Sequence, residues 1–415
     1  MATVLLTTTA YGDHLNGDGS SREDSVVCAG EFQGRQVSPE ELKSVLAEHA
    51  LWLQSPHHQI GKPANLCGAD LAGTDFREQN LSGLNFQEAN LSHADFTGAI
   101  LIHVNFRKAN LMEASLYSTN MRGGQATGAN LRMANLRKAD LGQANFAGAD
   151  LREANLGETQ VRMGVLRGAD LEGAYLVRAD LEMANLEEAY LVRADLRQAN
   201  LYRALLRNAK LTEADLSHSN FQEADVSGGD LSGADLGEAN LVEVNLEGAT
   251  LREATLVRAV LYQANLHHAN CAGANFQDAD LLGVNFQQAN LSRAEMDEAY
   301  LAKANLRDAN LEAADLSWTN LVEADLSGGN LEYTILFRAN LQEAVLDGAG
   351  LYGVDLRGTN LEGASLNKSR LQGVALRYAH GITQEQLNGA CLDSRTRLPE
   401  GMTLPLPCPS AEKEK

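Results

Sequence analysis

Apolar residues recur every five positions from Leu66 to Leu376, a period that neither regular secondary structure shares. Residues five apart on an α-helix lie roughly 140° from each other, so leucines at that spacing smear around the cylinder. On a strand, an odd spacing sends every second leucine to the opposite face. A chain that changes direction once per repeat can turn all of them inward. In the stretch ADLEM, Ala179 and Leu181 share the inner side of a short extended segment and Asp180 points out, which leaves Glu182 and Met183 for the corner. The pattern predicts a coil with a small residue and a leucine inside and a variable surface outside.

The register runs without slippage through 63 consecutive pentapeptides, from Ala64–Asn65–Leu66 to Val374–Ala375–Leu376. Leucine fills 49 central positions and phenylalanine 8. The other six are Met121, Ala126, Val161, Val226, Cys271 and Met296, none of them charged. Alanine stands two places earlier in 44 repeats, and Asp or Asn stands between in 43, where a short polar side chain can bond nearby backbone.

These residues resemble the pentapeptide-repeat family, whose signature is A-(D/N)-L-x-x, over about three quarters of the chain. The resemblance implies an all-β solenoid, a right-handed quadrilateral β-helix in which four pentapeptides make one of about sixteen coils. At a strand spacing of about 4.8 Å the stack is roughly 75 Å long. A four-sided coil aligns positions 20 apart and opposes positions 10 apart. Phe76, Phe86, Phe96, Phe106, Phe146, Phe276 and Phe286 fall on one opposed pair of sides, and only Phe221 lies elsewhere.

The ends depart from the period. Residues 1–37 are polar and rich in Gly, Ser and Asp, and are expected to be disordered. Residues 38–63 form a helical N-terminal cap. Ser38 is its N-cap, Pro39 stands in the first turn, Glu41 completes a capping box, and Leu42, Val45, Leu46 and Leu53 line one side. The β-helix covers 64–380. Residues 381–415 form a C-terminal cap and flexible tail, with a short helix starting after Thr383. Solenoid ends expose apolar core and unpaired edges, which is why caps are expected there.

Five cysteines show no disulfide framework or zinc spacing. That absence fits a reducing compartment; Cys67 reads as outward and Cys271 as core. The first residues lack the basic region of a signal peptide, and no segment approaches the roughly 20 apolar residues of a membrane span. The expected location is the cytoplasm of a bacterium.

Carboxylates come with the repeat, so acid pairs alone do not indicate catalysis. His267 and His268 stand at a corner while Cys271 points inward, so the three do not converge on a metal. There is no glycine-rich phosphate loop, no nucleophile elbow and no Cys-x-x-Cys, and Ala and Leu fill the interior. No enzyme activity, cofactor or metal is expected.

Charge is the informative surface property. Residues 101–210 carry a net of +3, whereas 211–350 carry −17. Within that acidic block one side is the most acidic, through Asp215, Asp235, Glu238, Asp278, Glu295, Asp297, Glu298 and Asp315. The expected function is a non-enzymatic rod presenting a surface to a protein partner, either as a monomer or as an end-to-end dimer, without direct nucleic-acid binding. The alternative comes from the resemblance. Quinolone-resistance members of the family imitate DNA and occupy the DNA channel of gyrase, so the acidic face could engage a topoisomerase or another DNA-binding enzyme. Against that alternative, this chain is about twice as long, carries a cap helix, has no looped-out insertions and is basic in its middle.

Overall fold

A computed structural model describes Cys28 and residues 30–404; what the sequence suggested for residues 1–27, 29 and 405–415 lies outside the described residues. The repeat Ala194–Asp195–Leu196–Arg197–Gln198 shows why the chain coils. Ala194 and Leu196 are fully buried, Asp195 is half-buried, and Arg197 and Gln198 are exposed. The Ala194 N–H donates to the Leu191 carbonyl at 3.1 Å, and the Asp195 N–H reaches back to Ala174 at 2.9 Å. Leu196 donates forward to Asp215 at 2.7 Å and Gln198 to Ser217 at 3.1 Å. The remaining donor, the Arg197 N–H, goes to Asp195 Oδ1 at 3.2 Å. All five backbone donors are thus satisfied, three by adjacent coils and two within the local turn. Asp or Asn precedes the leucine because its side-chain oxygen takes the one donor that the adjacent coils leave over.

Parallel bridges join residues 20 apart from Asn65↔Asn85 to Asn360↔His380, so four repeats complete each coil. Every pairing is a single-residue bridge. Each side offers only three extended residues before the next corner, and among the described residues no continuous strand forms. The expectation of an all-β solenoid is corrected to that extent. Asparagine side chains add a second ladder outside the bridges: Asn265 donates to Asn245, Asn285 to Asn265, each at 3.0 Å, and Asn305 to Asn285 at 2.9 Å.

At every corner from residue 68 to residue 373 the second corner residue has positive φ. Val, Ile and Thr never occupy that position, although Ile102, Val177, Val192 and Val242 stand at the first corner position. A side chain branched at Cβ clashes in this left-handed conformation. Met183, with φ 55° and an exposed side chain, isolates the effect. Met183→Gly should raise stability by about 0.5–1 kcal/mol and Met183→Val should lower it by about 1–2 kcal/mol. Equal denaturation midpoints for the two variants would contradict this reading.

Inside, aromatic rings report the four-sided geometry directly. Phe76 stacks on Phe96 at 4.8 Å and Phe86 on Phe106 at 5.3 Å, each pair 20 residues apart. Phe76 meets Phe86 edge-on at 5.6 Å across the interior, 10 residues apart.

The N-terminal end is closed by helix α1, Pro39–Gln54. Glu41 N–H donates to Ser38 Oγ at 3.3 Å and Ser38 N–H to Glu41 Oε2 at 2.9 Å, forming the capping box. Leu42, Val45 and Leu46 pack against the core. Buried His49 accepts the Ala64 N–H at 3.1 Å, which ties α1 to the first repeat.

The stretch expected to be disordered through residue 37 is described from Gly30 onward, and there it lies on the first coil. Gly34 N–H donates to the Gly68 carbonyl at 2.8 Å, Gln36 bridges Asp70, and Phe32 and Val37 are buried. This strap overturns two expectations about cysteine. Cys67 is not outward but fully buried, and it is joined to Cys28 by a disulfide with Cα atoms 5.7 Å apart. Cys391 is also disulfide-bonded, whereas Cys271 is a free, buried thiol.

At the other end α2, Gln384–Gly389, is capped by Thr383 and buries Leu387. Gln386 Nε2 donates to the carbonyls of Leu361 at 2.9 Å and Ala364 at 2.8 Å. Beyond α2 the chain stays on the last coils, through bridges from Cys391 to Arg370 and from Arg397 to Ala375.

Candidate interaction surface

The side that carries the acidic residues is defined by the central positions Phe76, Phe96 and so on to Leu376. Its outward residue precedes each central residue, and its corner comes just after. The bridges Asp195↔Asp215, Asp215↔Asp235, Asn275↔Glu295 and Glu295↔Asp315 set the outward positions in one column. Glu238, Asp278, Asp297 and Glu298 stand on the adjoining corner, three of them in the left-handed turn, with φ 56° at Glu238 and Asp278 and 61° at Glu298. All eight sequence-predicted acids are therefore on one side of the stack, and none is buried.

Most charges in the basic middle pair with neighbours within the chain. Arg137 pairs with Glu158, and Arg193 with Glu172. Arg197 bridges Asp195 at 2.6 Å and Asp215 at 3.5 Å. In the acidic block Glu238 pairs with Arg258 at 2.9 Å, and Glu295 and Asp297 accept hydrogen bonds from Asn275 and Gln277, each at 2.9 Å. Among the described residues no ion pair involves Asp235, Asp278, Glu295, Asp297, Glu298 or Asp315. The acidic run from Asp278 to Asp315 consequently presents uncompensated charge.

Sequence reasoning missed an aromatic and basic group farther along the same corner. Trp318, Arg338, Arg357 and Tyr378 stand on successive coils, with Phe337 and Arg377 beside them. The Arg338 guanidinium lies 4.5 Å over the Trp318 ring and 5.3 Å over Phe337, and Arg377 lies 4.5 Å over Tyr378. Trp318 is 51% exposed and Tyr378 45%. The Asp355 carboxylate, hydrogen-bonded to Arg357 at 2.6 Å, holds that guanidinium's pKa above its ordinary value, and Arg357 in turn holds the Asp355 carboxyl below its own. The signal was available: stepping 20 residues from Trp318 lands on Arg338, Gly358 and Tyr378.

No cluster of His, Cys, Asp and Glu among the described residues is arranged for a metal. His267 and His268 rings lie 3.9 Å apart at a corner, while burial pushes the Cys271 thiol up. No described helix is long and apolar enough to cross a membrane.

A profile of pentapeptide repeats, eight copies long, matches ten stretches, some of them overlapping, from residues 64–98 through 334–373. The chain belongs to the pentapeptide-repeat family. No curated protein matches it significantly. Among solved structures, HetL of the cyanobacterium Nostoc sp. strain PCC 7120, described as involved in heterocyst differentiation regulation, is 31% identical. That match covers 69% of this chain and 91% of HetL with a TM-score of 0.17. QnrB1, a plasmid-mediated fluoroquinolone resistance protein, is 17% identical over 48% of this chain and 86% of its own, with a TM-score of 0.29. Rfr23 of the cyanobacterium Cyanothece 51142 is 31% identical over 31% of this chain and 90% of its own, with a TM-score of 0.15. Superpositions this loose carry no argument, and the four-sided coil rests on the chain's own bridges.

Proposed function

We propose that this pentapeptide-repeat protein is a non-enzymatic, right-handed rod of about sixteen coils that presents one side to a protein partner. The observation that carries the reading is the continuity of that side. An uncompensated acidic run from Asp278 to Asp315 passes directly into exposed Trp318 with Arg338 stacked over it. Trp, Tyr and Arg are the residues that dominate binding energy at interfaces, and a flanking field of one sign steers an oppositely charged partner.

DNA mimicry remains the second reading, favoured by the unpaired acids. Two observations weigh against it. The basic middle interrupts the acidic field, and the Cys28–Cys67 disulfide favours an oxidising compartment over the cytoplasm in which gyrase works.

The test replaces Glu295, Asp297, Glu298 and Asp315 with Gln or Asn, and separately Trp318 with Ala. A basic partner captured by the native chain should be lost with the four neutralised acids and weakened at least about tenfold by Trp318→Ala. The native chain should leave supercoiling by purified gyrase unchanged at low and high salt. Stoichiometric inhibition that the four substitutions remove would install the DNA-mimic reading instead, and capture that survives both variants would sink the surface altogether.

A further inference from the structure

We infer that the corner running from Arg77–Glu78 to Phe337–Arg338 is a self-complementary seam that takes a second, antiparallel copy of this chain. The inference rests on the proposed interaction surface and names one occupant for its corner.

Two such rods set corner to corner about a two-fold axis run in opposite directions, so each corner residue meets the equivalent position at the reversed height. With the axis between Gln198 and His218, the second corner residues form four charged pairs. Arg178 meets Glu238 of the other copy, Glu158 meets Arg258, Lys138 meets Asp278, and Glu78 meets Arg338. All four pairings are of opposite sign, and symmetry repeats each of them. No like charges meet along the corner. All eight of these residues are exposed and set in the left-handed turn that projects them outward.

Size matches as well. Val177 comes opposite Gly237, and Val257 opposite Gly157, so each branched side chain meets a residue that has none. Trp318, under its own Arg338 at 4.5 Å, comes opposite Gly98, the glycine over which the Glu78 carboxylate lies. Arg77 comes opposite Phe337. Sliding one copy by a single coil destroys the match. In one direction Glu158 meets Glu238 and Lys138 meets Arg258; in the other Arg178 meets Arg258 and Glu158 meets Asp278. The two flat sides that meet at the corner do bring like charges together, Asp195 opposite Asp215 and Asp95 opposite Asp315 on one, and on the other Asp140 opposite Asp280, where Arg122 lies 3.5 Å from Asp140. Arg197 already bridges the first pair within the chain, and Arg77 lies 3.6 Å from Asp95.

Isolated surface ion pairs contribute little, but these join a network. Arg258 already holds Glu238 at 2.9 Å, and Glu158 pairs with Arg137 and Lys138, so the second copy extends chains of alternating charge. The seam is about 60 Å long and about 10 Å wide, roughly 600 Å² per copy, which is the lean end of specific interfaces and implies a salt-sensitive, concentration-dependent dimer.

The test is a mixing experiment read by sedimentation equilibrium of the full chain up to about 100 µM, a range suited to an interface this small. The native chain should dimerise at low salt and dissociate at about 0.5 M salt. Arg178→Glu alone and Glu238→Arg alone should each weaken association at least about tenfold, because each turns two attractive pairs repulsive. Mixing these two variants should restore dimer, as heterodimer, since Glu at 178 then meets Arg at 238 and the reverse. Intrachain effects of either substitution cannot produce that restoration. A native chain that stays monomeric, single variants that dimerise normally, or a mixture that stays monomeric would each overturn the seam. None of these three results touches the capture of a basic partner through Glu295, Asp297, Glu298 and Asp315, so the two readings fail separately.

Discussion

Leu191→Asp should lower stability by several kcal/mol, whereas Arg193→Asp, the same new charge two residues away, should cost under about 1 kcal/mol. Leu191 is fully buried, and its N–H donates to the Lys210 carbonyl of the next coil at 2.6 Å. Its neighbours above and below in the stack are Leu171 and Leu211, both fully buried. A carboxylate placed there has no donor to accept from and must either protonate or drag water between two coils. Arg193 stands at the second corner position with its side chain 60% exposed, pairing with Glu172. Aspartate tolerates the left-handed turn, so that variant loses a surface ion pair and sets a like charge near Glu172, where solvent screens both. The two midpoints of chemical denaturation decide the matter, and comparable shifts would mean that inside and outside have been exchanged.

How much of this was legible beforehand differs from one feature to the next. The inward leucine and the outward Asp or Asn could be read from the five-residue period alone, because only one side of each short segment can face a narrow interior. The opposed phenylalanines were readable for the same reason, and Phe76 and Phe86 do meet edge-on. The left-handed corner was also written in the sequence but went unread. Its signal is glycine recurring at residues such as Gly68, Gly168 and Gly273 while Val, Ile and Thr stay away. The strap was not readable. Cys28 and Cys67 are 39 residues apart, one in a polar segment and one at a nominal corner, and neither period nor composition brings them together. On the surface, the acids stood out through net charge, but the Trp318–Arg338 stack did not. Aromatic residues at single corners carry no pattern until the 20-residue coil is imposed on them.

Phe86→Ala should cost about 3–5 kcal/mol, and more than Phe221→Ala by about 1 kcal/mol. Both rings are fully buried, so both deletions leave a cavity in an interior too narrow to collapse freely. They differ in company. Phe86 stacks on Phe106 at 5.3 Å and meets Phe76 and Phe96 edge-on at 5.6 and 5.9 Å, whereas Phe221 has no ring beside it among the described residues. Position adds to the difference. In a solenoid each coil is supported only by its neighbours, and Phe86 lies in the coils that α1 and the strap close off. Loosening there should uncouple the cap from the stack, so amide exchange should speed up in residues 30–110 while the coils beyond stay protected. Phe221→Ala, with coils on both sides, should instead raise exchange in a short window around itself. If both variants lose the same stability and exchange uniformly along the rod, the aromatic cluster contributes nothing beyond its volume, and the four rings at the capped end are only filler.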